Sequence, residues 1–155
     1  MIFSLDLIIH WIFHFVVAFF GTLSFSVLFR VPKHQLLFSG LTGGIGWLVY
    51  ILCVDMSATS FTAAFISAFV LTWISRVFAF TRKSPVTNFL IGGIFPIVPG
   101  AGIYSAGYAF FMGDTSGGLN AGFDTIKIAA AIALGMGIVT SLPGFLFGSK
   151  SQKNK

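Results

Sequence analysis

Two prolines and two glycines interrupt a long apolar run at FPIVPGAGIY, residues 95–104. Pro96 and Pro99 have no backbone N–H, and their rings clash with the preceding turn of a helix. Val98, just before Pro99, is pushed out of the α region. A helix broken here restarts at Gly100 to Gly102 with free N–H groups and the positive end of its dipole. A carboxylate is the natural guest at such a start. The segment before the break ends in free carbonyls, which suit an ammonium group or a cation. One break thus offers a partner to each half of a zwitterionic amino acid. Pro96, Pro99, Gly100, Gly102 and Tyr104 are therefore the candidate substrate-binding residues. Tyr104 and Tyr108 sit one turn apart beyond the break, placed either to close its outer side or simply to pack. The plainer reading of the whole segment is a proline kink healed by neighbouring helices. Two prolines and a glycine in one turn exceed what a kink needs.

Other ionisable side chains are few. Asp6, His10 and His14 recur every four residues and so share one face of a helix. His10 and His14 could relay protons near neutral pH, or belong to an interfacial polar stripe beside Trp11. No further Cys or Glu supports a metal site there. Asp124 and Lys127 are spaced to pair on one helix face. They read either as a topology anchor, with Lys127 reaching the headgroups, or as a gate or carboxylate contact. Asn88 is a weaker candidate, as is Thr42. No H-E-x-x-H, paired carboxylate set, G-x-S-x-G or P-loop occurs. No catalytic residue, metal or cofactor is expected, and any transport is not ATP-driven by this chain itself.

These residues must be positioned by helices that cross a bilayer. The chain has 155 residues, 56% hydrophobic and 8% charged, with 20 Phe. A soluble domain carries about 25% charged residues. The net charge of +5 is spread over short loops and a tail, which reads as a topology signal and not as a nucleic-acid surface. One cysteine, Cys53, excludes an intrachain disulfide. The N-terminal apolar run lacks a basic region before it and exceeds the roughly 7–15 residues of a signal-peptide core, so it reads as a retained span.

A span needs about 20 apolar residues. Five segments fit, at about 7–29, 35–54, 58–80, 86–112 and 123–147, in a single transmembrane domain with a tail at 148–155. The expected fold is an all-α helical bundle whose fourth helix is broken into halves at about 86–95 and 101–112. Eight of the nine basic residues fall on one side of this arrangement. They are Arg30 and Lys33, then Arg76, Arg82 and Lys83, then Lys150, Lys153 and Lys155. The positive side is cytoplasmic, so the N-terminus is expected outside and the C-terminus inside. Gly40 and Gly44, Ala64 and Ala68, and Ala129, Ala133 and Gly137 follow a small-xxx-small spacing. That spacing lets helices approach closely in lipid, within one bundle or between subunits. Glycine-rich LTGGIGW at 41–47 and IGGIFPIVPGAG at 91–102 hint at a duplicated unit.

Val31-Pro32 before the second span, LTGGIGWLVY, IFPIVPGAGIYSAGYAFFMGD and AAAIALGMGI together resemble the threonine/serine exporter (ThrE-like) family. The resemblance is nearest to the small stand-alone membrane subunit of its split form, the YjjB-like proteins. It runs from about residue 31 to 140. Its most specific part is Pro96, Pro99, Gly100 and Tyr104, followed by Gly113-Asp114. The resemblance implies export of threonine, serine or similar small amino acids across the bacterial inner membrane, with a larger membrane subunit as partner. Small mono- or dicarboxylates are the alternative substrates, and a non-transporting assembly subunit is the rival role. A homo-oligomer is also expected, because one five-span chain is small for enclosing a gated pathway.

Overall fold

The computed structural model describes residues 5–144. Its helices are α1 (Leu5–Leu28), α2 (Leu36–Asp55), α3 (Ser60–Arg82), α4 (Thr87–Ile94), α5 (Gly100–Phe111) and α6 (Thr115–Ser141). Short 3-10 turns cover Lys33–Gln35 and Phe95–Ile97. The described residues contain no strand. The long helices α1, α3 and α6, and the unit from Lys33 to Asp55, are each apolar and long enough to cross a membrane. The pair Thr87–Ile97 and Gly100–Phe111 is bent by 49° at its break. A bend of that size leaves both halves running in the same general direction, and if the pair is one broken span it makes a fifth crossing.

Helix ends follow local chemistry. Thr59 caps α3 by accepting from the Thr62 amide. The helices α1 to α3 close on left-handed residues, Arg30, Ser57 and Lys83. Gly113 (φ 81°) ends α5 in the same region, which glycine enters at no steric cost.

The last span differs from expectation. It begins at Thr115, not near 123, because Asp114 is its N-cap: Oδ1 accepts from the Gly117 amide at 2.8 Å and from the Ser116 hydroxyl at 2.9 Å. It stops at Ser141 because Leu142 precedes Pro143 and is extended (ψ 141°). The expected end at 147 and the basic tail at 148–155 lie outside the described residues.

Small residues set the packing. A methyl on Gly40 or Gly44 would lie 2.9 Å from the ring of Phe19 or Phe15, so α1 settles its phenylalanines onto a glycine face of α2. The Thr22 hydroxyl lies where a Gly43 side chain would begin. Gly92 of α4 rests on the Ser26–Ser39 hydroxyl pair, whose oxygens are 2.6 Å apart. Gly93 faces Thr42 and the Gly43 backbone, so the two glycine-rich stretches pack against each other. On the other side, Gly135 of α6 abuts the Phe65 carbonyl and Ala68 of α3. Arg76 of α3 donates to the Val139 and Thr140 carbonyls at the end of α6. The central cluster is Ala64, Ala68, Ile97, Ala131 and Ile132, edged by Trp47, Tyr50, Ile94 and Ile128. Ile97 belongs to the break itself, so the irregular backbone is held in the protein core, the condition for such backbone at membrane depth.

Candidate functional site

The break is built by its prolines. Residues Thr87–Ile97 and Gly100–Phe111 span about 16 Å and about 18 Å at 1.5 Å per residue, which puts the interruption near mid-span. Val98 is extended (φ −63°, ψ 130°) ahead of Pro99. Pro99 (ψ 55°) stands as the N-cap of α5 and offers no side-chain cap. The Gly100 amide turns back to the Val98 carbonyl at 2.7 Å, and the first regular bond of α5 runs from the Ile103 amide to the Pro99 carbonyl at 3.1 Å. Between them, the Ala101 and Gly102 amides find no acceptor among the described residues. On the other side of the break, no backbone amide among the described residues reaches the Pro96 or Ile97 carbonyl. Unpaired donors and unpaired acceptors thus lie within a few residues of one another along the chain.

The whole run Pro96–Gly102 lines a cavity of about 320 Å³, together with Trp47, Tyr50 and Ile128. Gly100 leaves open space where a side chain would stand. Gly102 is pressed against Thr125 of α6, so its glycine also lets α5 and α6 approach. Of the expected substrate residues, Pro96, Pro99, Gly100 and Gly102 come together. Tyr104 does not: it is 71% exposed on the outside of α5, stacked on Tyr108 at 6.1 Å. The rotation of α5 that turns Gly102 onto α6 carries Tyr104 away from the cavity wall.

The other candidates are dispersed. Asn88 donates to the Ser84 hydroxyl at 2.8 Å in the first turn of α4, remote from the break. Thr42 is buried and bonds the Phe38 carbonyl of its own helix. The rings of His10 and His14 are in contact at 4.4 Å, and His14 Nδ1 accepts from Trp47 Nε1 at 3.2 Å. No trio of His, Cys, Asp or Glu converges to hold a metal among the described residues. Lys127 donates to Asp124 at 2.9 Å, with side chains 67% and 72% exposed. Because α6 starts early, this pair lies about three turns into the helix, not at its start. It borders a second cavity of about 280 Å³ with Thr59, Ser60, Phe61 and Ile128. Ile128 is shared with the break cavity. Trp47, Tyr50 and Ile128 are the wall residues that sequence reasoning missed. Their contribution is purely tertiary, and an aromatic or isoleucine inside a span carries no local signal.

The described residues form an all-helical bundle with four long apolar helices and a bent pair that would make a fifth crossing, the build of a multi-pass membrane protein. The family described as Threonine/Serine exporter, ThrE, matches residues 14–142, and the chain belongs to it. No curated protein and no solved structure matches the chain.

Proposed function

We propose that this chain is the membrane subunit that carries threonine, serine or a similar small amino acid outward across the bacterial cytoplasmic membrane. The carboxylate is held by the Ala101 and Gly102 amides at the positive end of α5. The ammonium group is held by the Pro96 and Ile97 carbonyls. The observation that carries this reading is the pairing of unmatched donors and acceptors around one cavity at mid-span. Transporters build sites from such broken helices. The Asp124–Lys127 pair supports a polar approach to that cavity, since ionisable groups inside a span face water or protein and not lipid. The N-terminus is outside in this reading, by the distribution of basic loops. A larger membrane subunit, further copies of this chain, or both complete the pathway. The face of α6 carrying Ala129, Ala133 and Gly137 is left uncovered by the described residues.

The test is efflux of labelled threonine, serine and small carboxylates from cells expressing this chain, alone and with a larger subunit of its family. Each donor to a charged group contributes about 1.5–3 kcal/mol, so losing one weakens binding roughly tenfold or more. Pro96→Ala/Pro99→Ala lets the helix close over the donors, and Gly100→Leu fills the cavity. Both variants are expected to insert and assemble normally but to lose efflux per unit of membrane protein. Parent rates in both assembled variants would reduce the break to a kink. Export of carboxylates without amino acids would move the substrate class.

A further inference from the structure

Two cavities meet at Pro96. One is the break cavity. The other, about 400 Å³, lies against α1 and is lined by Phe13, His14, Val17, Ala18, Gly21, Phe25, Trp47, Phe95 and Pro96. Trp47 and Pro96 line both. Pro96 is fixed in the backbone turn, so the Trp47 indole is the movable part of the wall. Besides its packing on the central cluster, two contacts orient it: a stack on Tyr50, with centroids 5.2 Å apart and planes 13° apart, and the hydrogen bond from Nε1 to His14 Nδ1.

We infer that Trp47 is the partition between the substrate cavity and the α1 cavity, and that His14 is the positioning residue that holds it closed while unprotonated. The argument is one of donors and acceptors. A neutral imidazole has one acceptor nitrogen, and here Nδ1 uses it on Trp47. A protonated imidazole carries hydrogen on both nitrogens and accepts nothing. One proton on Nδ1 therefore ends the Trp47 bond and sets two N–H groups against each other. The indole then keeps its stack on Tyr50 and its apolar packing but has lost its polar tether, beside a cavity with room for it.

The surroundings leave few other groups to titrate. Helix α1 itself carries Asp6 and His10, and the His10 ring touches that of His14. Helix α2 carries Tyr50, Cys53 and Asp55, of which Asp55 accepts from Trp11 at 2.7 Å. Neither α4 nor the Phe95–Ile97 turn, both packed on α1, carries a titratable side chain.

This inference rests on the transport reading of the break, and two separate readouts keep the two apart. The first is Trp47 emission in a Trp11→Phe/Trp73→Phe background, in lipid, titrated from about pH 8 to about pH 5. A single-proton transition is expected. It should persist in His10→Gln and vanish in His14→Asn, whose Oδ1 stands in for Nδ1 as an acceptor that does not titrate. The second is efflux of labelled threonine over the same range. The parent should change with the midpoint seen by fluorescence, and His14→Asn and Trp47→Phe should lose that dependence. Emission that stays flat in the parent, or titrates unchanged in His14→Asn, overturns the partition whatever efflux does. A His14-dependent emission transition in a protein that exports no threonine upholds the partition and refutes the substrate assignment instead.

Discussion

Gly92 is where α4 meets a pair of buried hydroxyls, Ser26 of α1 and Ser39 of α2. A Cβ there would collide with Ser26 Oγ and lie 2.8 Å from Ser39 Oγ. Overpacking of this kind costs about 1–3 kcal/mol. Gly92→Ala is expected to lower the thermal unfolding temperature of the purified protein. Ser26→Ala, which removes the nearer oxygen, should recover part of that loss when the two are combined. Additive losses would place the strain elsewhere. At this scale the sequence is uneven. Pro96, Pro99 and Gly100 are legible because a missing N–H, a locked φ and a missing side chain have consequences anywhere. Trp47 and Ile128 are not, because they reach the cavity only through the packing of α2 and α6. Tyr104 misled for the same reason: its distance along the chain from Pro99 is fixed, but the face it occupies is set by how α5 rolls onto α6.

The elements were mostly readable, and their misreading has a local cause. The two halves of the broken span fall within a residue or two of the expected bounds, because prolines punctuate helices sharply. Helix α6 was expected to begin near 123 because Asp-Thr-Ser-Gly-Gly reads as loop. Asp114 overrides that reading as a cap. Its hydrogen bond from the Gly117 amide, and then the one from Ser116, hold its carboxyl below the usual value of 3.8. A carboxyl whose folded value is depressed contributes stability above its unfolded value and loses it as pH falls through the folded one. The first turn of α6 should therefore stay protected near neutral pH and fray as the solution is taken below about pH 4. Amide exchange at Gly117, compared between the parent and Asp114→Ala, measures this. Asp114→Ala should show fast exchange at every pH. Equal protection in both proteins would remove Asp114 as the start signal.

For the whole molecule, composition identifies the membrane class and charge suggests its orientation. Assembly, by contrast, is written in surfaces. Gly40 and Gly44 are consumed by α1, and Ala64 and Ala68 by α6, whereas Ala129, Ala133 and Gly137 face outward. The same spacing gives both results, so sequence alone could not sort them. Cysteine labelling in a Cys53→Ser background should find position 84 cytoplasmic and position 116 external; both on one side would break the five-span arrangement. The central claim concerns two amides, and the most direct measurement observes them. In lipid bilayers, with the Ala101 and Gly102 backbone nitrogens labelled, threonine should shift both amide resonances, and threonine amide, which lacks the carboxylate, should leave them in place. Resonances that ignore threonine in a protein that is actively exporting it would contradict the account.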